Sequence, residues 1–142
     1  MKTESALPYR NNIIALLSAE KLPVADLPAT LDNFVVVKDV DTIIAVAGLE
    51  LYGDDGLLRS LAVSPTHRNK GIAKLLLTQI EVLAAGKALS ALYLLTETAP
   101  GYFKRNGYEQ ITRRDLPQPV RQSSEFSYAC PQSAIVMKKT LT

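Results

Sequence analysis

The chain has 142 residues, 47% of them hydrophobic and 21% charged, with a formal net charge of +2 at pH 7. Length and composition fit one globular domain and exclude a disordered or fibrous chain. With a balance so near neutral and basic residues scattered, neither nucleic acid nor an anionic membrane is expected as a partner.

In chain order, the segment NNIIALLSAEKLP spaces Ile13, Ile14, Leu16, Leu17 and Leu22 as an amphipathic helix of about ten residues, stopped at Pro23. ADLPATL reads as a short helix or turn. FVVVK and TIIAVAGLELY are rich in β-branched residues and are separated by Asp39, Val40 and Asp41, which predicts an antiparallel hairpin. A second turn falls on GDD at 53–55 with Gly56, and LLRSLAV at 57–63 is a third strand. A helix is predicted from Gly71 to about Gly86, with Ile72, Leu75, Leu76, Ile80 and Leu83 at helical spacing. ALSALYLL at 88–95 reads as a strand buried on both faces. A strand, a crossover helix and another strand imply a right-handed parallel unit.

TAPGYFKRNGY predicts a short helix ending at Asn106 with Gly107 as its cap. YEQIT is a further strand, DLPQPVRQSSEF a proline-started turn of helix, and SAIVMKK a last strand; an edge strand at the C-terminal end would suit a homodimer. These elements make one mixed α/β domain over residues 1–142, with antiparallel strands feeding a central βαβ unit. Cys130 is the single cysteine, so no intrachain disulfide forms, which suits the cytoplasm. The N-terminus lacks an apolar signal-peptide core. No apolar run reaches the roughly 18–20 residues that cross a bilayer. No metal site is expected.

The loop SPTHRNKG before the longest helix stands out. Free backbone N–H groups at a helix start, together with the helix dipole, favour a phosphate or pyrophosphate. Gly71 lets the backbone approach a ligand, Ala73 keeps the next turn open, and Arg68 and Lys70 add positive charge. A bare R-x-x-G-x-A is equally a basic helix start with a tight turn. Neither the dinucleotide fingerprint nor the P-loop motif is present.

In context, RSLAVSPTHRNKGIAKLLL resembles the acetyl-CoA signature of the GNAT superfamily of N-acetyltransferases. That signature is a strand ending in L-x-V-x-P, then R-x-x-G-x-G/A, then an amphipathic helix. Leu61, Val63, Pro65, Arg68, Gly71 and Ala73 fall in register. Ala99, Phe103, Gly107 and Tyr108 match its second half, and the likeness covers about residues 34–112. It implies a mostly antiparallel central sheet with a splayed central βαβ unit and flanking helices. LELYGDDGLLRSLAV and the tail DLPQPVRQSSEFSYACPQSAIVMKK further resemble the acetyltransferases of arsenic-resistance operons. That branch is similar to the catalytic domain of N-acetylglutamate synthases.

The resemblance implies acetyl-CoA as co-substrate. Its pantetheine arm would pair with Leu61, Ala62 and Val63. Its pyrophosphate would lie on the amides of Arg68, Asn69, Lys70, Gly71, Ile72, Ala73 and Lys74. The Leu61 N–H would stabilise the oxyanion. Many relatives place a tyrosine acid where this chain has Phe103, which would stay near the cofactor. Tyr102 lies about 100° away around the helix, so it is either the acid or an ordinary packing residue. Glu50 interrupts an apolar strand and is the candidate base, although strand alternation equally puts it in solvent.

Arg59 and Ser60 are adjacent on the cofactor strand and are expected to face opposite sides. Arg59 either holds an acceptor carboxylate or forms a surface ion pair with Asp54 or Asp55. Arg121 either borders the acceptor pocket or pairs with Glu125. His67 reads as a surface or phosphate-side residue, and Cys130 as a small buried one. The leading reading is acetyl transfer to a small, amino-acid-like amine, with a role in arsenical resistance implied by the branch. The alternatives are a non-catalytic acyl-CoA-binding regulatory module and a protein or peptide N-acetyltransferase.

Overall fold

The computed structural model describes residues 2–123 and 134–141. Its strands are β1 (Lys2–Ser5), β2 (Phe34–Asp39), β3 (Thr42–Tyr52), β4 (Asp55–Val63), β5 (Ala91–Thr96), β6 (Glu109–Ile111) and β7 (Ile135–Thr140). The α-helices are α1 (Arg10–Ala19), α2 (Ile72–Gly86), α3 (Pro100–Arg105) and α4 (Gln118–Arg121). The strands follow the order β1-β2-β3-β4-β5-β7-β6 in a seven-stranded, mostly antiparallel sheet. The chain packs as two compact units, Met1–Leu49 with Arg59–Leu83 and Glu50–Leu58 with Ala84–Thr142. β3, β4 and α2 each run from one unit into the other.

In the first unit β1 pairs antiparallel with β2, Lys2 opposite Lys38 and Ser5 opposite Val35. β1 was not legible: four residues without apolar alternation join the sheet through backbone pairing, helped by an ion pair between Glu4 and Lys38 at 3.9 Å. β2 pairs antiparallel with β3, as expected of the hairpin. Ile13 and Leu17, one turn apart on α1, meet Leu27, Leu31, Phe34, Val36, Val46 and Ala62 in a common core. Gly48 stands opposite Phe34, and a Cβ there would lie 2.4 Å from the Phe34 ring. Glycine leaves the space in which that ring packs.

Helix α1 closes at Ala19, four residues before Pro23. Lys21 adopts φ +60°, and the amides of Lys21 and Leu22 bond back to the carbonyls of Ser18 and Leu17. This is the left-handed C-terminal motif usually built on glycine. ADLPATL forms a turn. In the β2–β3 loop Val40 has φ +56° and is 86% exposed. A β-branched residue loses roughly 1–2 kcal/mol in this conformation, which asparagine tolerates. Val40→Asn is therefore expected to raise the thermal midpoint by about 2–4 °C, as a calorimetric scan would register.

In the second unit Asp55, Gly56 and Leu57 of β4 pair in parallel with Ala91, Leu92 and Tyr93 of β5. The strand–helix–strand order thus gives the parallel pair it implied. Gly56 lies inside β4 and not in the preceding turn. β5 and β6 both run antiparallel to β7. The last strand is flanked on both sides, and the strand at this edge of the sheet is the three-residue β6. Leu57, Ala91, Tyr93, Leu116, Val120 and Val136 form the core of this unit. Residues 88–90 are turn and not strand, because Ala88 takes φ +59° at the end of α2. Helix α3 ends as predicted, with Gly107 at φ +95°.

Candidate active site

The first unit carries the elbow. Towards the end of β4, Ser60 adopts φ +57°, which breaks the strict alternation of the strand. Arg59 and Ser60 consequently do not face opposite ways, and Arg59 Nε donates to Ser60 Oγ at 3.0 Å. The Arg59 ion pair is also not the expected surface one. Its Nη2 lies 3.0 Å from Asp26 Oδ1, with side-chain exposures of 0% and 4%, and Nη1 donates to the Asp26 carbonyl at 3.4 Å. Beyond the bulge, Leu61 and Val63 are half-buried and Ala62 is buried.

A 3-10 turn, Pro65–His67, leads out of the strand. His67 Nε2 lies 3.1 Å from Asp39 Oδ2 and its Nδ1 lies 2.9 Å from Thr66 Oγ1, so both ring nitrogens serve the loop. Arg68 Nε donates to the Val63 carbonyl at 3.3 Å, and the guanidinium also bonds the Glu20 carboxylate. The positive charge expected of Arg68 is thus met by Glu20, which leaves more of the anion attraction to backbone amides.

Asn69 at φ +64° and Gly71 at φ +76° turn the chain sharply, and residues 68–71 are exposed. The Gly71 carbonyl accepts the Leu75 amide at 3.1 Å. The amides of Ile72 and Ala73 therefore precede the first intrahelical bond and are open to an outside acceptor. A Cβ on Gly71 would meet nothing within 4 Å. The glycine faces open space that a side chain would fill, which fits a pyrophosphate seated against the backbone.

The second unit carries Glu50 near the end of β3. Its carboxylate is half-buried, and Oε1 accepts two hydroxyls: Tyr52 Oη at 3.1 Å and Ser123 Oγ at 3.2 Å. Ser123, 3% exposed, lies just beyond α4, and its amide bonds the Val120 carbonyl. Sequence reasoning missed both partners. The i, i+2 spacing of Glu50 and Tyr52 put them on one strand face, whereas nothing local marks Ser123.

On α3 the Tyr102 hydroxyl is buried and has no hydrogen-bond partner among the described residues. Burial pushes its phenol up from the ordinary value, against the opposing charge of Arg105, so it holds its proton. The Phe103 ring is 7% exposed and stands edge-on to both Tyr102 and Tyr108, with centroids 5.5 and 5.7 Å away. Phe103 is therefore a buried residue of this unit, held between two tyrosine rings. Arg121 is exposed and donates from Nε to the Leu116 carbonyl at 3.3 Å. Helix α4 ends at Arg121, while Glu125 and Cys130 lie outside the described residues. Among the described residues no group of three or more His, Cys, Asp and Glu side chains could hold a metal ion. No helix there is long and apolar enough to cross a membrane.

The family described as acetyltransferase (GNAT) domain matches residues 30–110, and the chain belongs to it. Members of this class use acetyl-CoA as co-substrate and transfer its acetyl group to an amine. An uncharacterized N-acetyltransferase of Chlorobaculum tepidum is 35% identical over 85 residues, covering 59% of this chain and 54% of that protein. An amino-acid acetyltransferase of Pseudomonas fluorescens is 34% identical over 104 residues, covering 72% of this chain and 24% of that protein. The chain thus spans about half of one relative and a quarter of the other. N-acetylglutamate synthase from Neisseria gonorrhoeae, solved with coenzyme A and N-acetyl-glutamate, superposes with a TM-score of 0.81. It is 19% identical, and the match covers 99% of this chain and 35% of that one.

Proposed function

We propose that this chain transfers the acetyl group of acetyl-CoA to the primary amine of a small, amino-acid-like acceptor. The observation that carries the reading is the elbow, where Gly71 opens onto free space just ahead of the Ile72 and Ala73 amides that precede the first intrahelical bond. The amides of residues 68–74 would hold the pyrophosphate, and Leu61, Ala62 and Val63 would pair with the pantetheine arm. When bound, acetyl-CoA supplies an activated thioester, and positioning of the amine against it lowers the barrier.

Transfer forms a C–N bond and breaks a C–S bond. An ammonium acceptor must shed two protons in all, and the departing thiolate takes one. Glu50 would accept a proton from the ammonium, and the Leu61 N–H would stabilise the developing oxyanion. Tyr102, whose phenol keeps its proton, would give one to the thiolate and be restored by the second proton that the amine nitrogen sheds. Arg59, Ser60 and Arg121 are assigned to the acceptor side. The amino-acid acetyltransferases among the relatives support an amino acid as acceptor. The tail's likeness to arsenic-operon enzymes supports testing arsenic-containing amino acids. We read residues 1–142 as one acetyltransferase domain, acting in the cytoplasm, with a homodimer as its candidate assembly.

Gly71→Val tests the cradle. Its side chain would fill the approach space and strain a left-handed residue, so acetyl-CoA affinity should fall about 100-fold or more. Titration calorimetry on a variant with native circular dichroism measures this, and unchanged affinity would sink the assignment. A turnover screen over free amino acids, arsenic and phosphorus analogues, and peptides then sorts the reading from its rivals. Binding without turnover would mark a regulatory module, and turnover on peptides alone a protein acetyltransferase.

A further inference from the structure

We infer that Ser123 and Tyr52 are positioning residues that hold the Glu50 carboxylate in one orientation for proton transfer, an inference that rests on the reading of Glu50 as the base. Both hydroxyls converge on the same oxygen, Oε1, at 3.2 and 3.1 Å. Hydroxyl-to-carboxylate bonds are among the stronger hydrogen bonds, because the acceptor is charged. Two donors on one oxygen fix the carboxyl plane, which in a free glutamate rotates broadly about its last torsion.

The two donors come from different parts of the chain. Tyr52 follows Glu50 by two residues on β3. Ser123 is 73 residues away and is anchored through its own amide to Val120, a core residue of the same unit. Packing of α4 therefore sets the Ser123 hydroxyl, and that hydroxyl sets the carboxylate. A buried serine needs some partner, so the geometry alone also suits a purely structural bond. The test separates the two.

Ser123→Ala and Tyr52→Phe are each made in the wild-type chain and in a Glu50→Gln chain, and kcat and KM are measured with the best acceptor amine. A misaligned general base loses part of its contribution, so kcat should fall about tenfold in Ser123→Ala, with KM for acetyl-CoA unchanged. In the Glu50→Gln background the same substitution should have almost no further effect, because residues acting through one group are not additive. Tyr52 is half-buried, so Tyr52→Phe keeps the test available if the serine variant folds poorly. Full kcat in both variants, or a Ser123→Ala loss undiminished in the Glu50→Gln background, overturns the inference. So does wild-type activity in Glu50→Gln, while leaving the acetyl-transfer reading in place. Failure of that reading shows differently, as a wild-type chain that turns over no amine, and it removes the inference too.

Discussion

Glu50→Gln is expected to lower kcat about 100-fold to 10,000-fold at neutral pH, the usual contribution of a positioned general base, with acetyl-CoA affinity unchanged. Glutamine preserves the size of the side chain and can still accept the Tyr52 and Ser123 hydroxyls through its carbonyl oxygen. The local structure should therefore persist, and the loss reports the missing proton acceptor. A further signature follows from the acceptor itself. An amino group is mostly ammonium at neutral pH and becomes free amine as pH rises, so the enzyme's own base matters less under alkaline conditions. The gap between wild type and variant should narrow steadily from pH 7 upwards. A pH–rate series for both proteins checks this, and a gap that stays constant would mean that Glu50 serves binding or packing.

The largest expected loss of stability comes from Asp26→Ala. The Arg59 guanidinium is fully buried, and its Nη2 and Nη1 both bond Asp26. Removing the carboxylate takes the ion-pair partner of Arg59 from a buried charge in a low-dielectric site, which typically destabilises by about 3–5 kcal/mol. For a chain of this size the thermal midpoint should drop on the order of 10 °C. The pair taken together adds far less, because burying two charges costs nearly as much as their attraction returns. A double variant, Asp26→Leu with Arg59→Met, should accordingly recover most of the lost stability. Denaturant titration of the single and double variants measures both effects. If the double variant binds acetyl-CoA normally yet fails only with carboxylate-bearing acceptors, Arg59 serves the acceptor as well.

The helix ends show where local reading succeeds and where it stops. Helices α1, α2 and α3 all close with the same left-handed motif, at Lys21, Ala88 and Gly107. Only Gly107 announces itself, because glycine adopts that conformation without penalty. Lys21 and Ala88 take it because the surrounding chain demands it, which is why Pro23 looked like the stop and residues 88–90 looked like strand. Ser60 is a similar case. A serine inside an apolar strand carries no mark of a bulge, yet φ +57° there reverses the expectation that Arg59 and Ser60 point apart.

The family and the elbow were determined by the sequence itself. Gly71, Ala73 and the helix behind them lie within one contiguous stretch, and unsatisfied amides at a helix start are a local property of the backbone. The family match over residues 30–110 covers nearly the stretch on which the resemblance rested. Tertiary structure alone decided the partners of the charged side chains. Asp26 meets Arg59 across 33 residues and Ser123 meets Glu50 across 73. Periodicity shows which face a residue occupies, but not which distant loop packs there. Those contacts arise from sheet order and core packing, which seat a buried carboxylate or hydroxyl beside a distant group able to bond it.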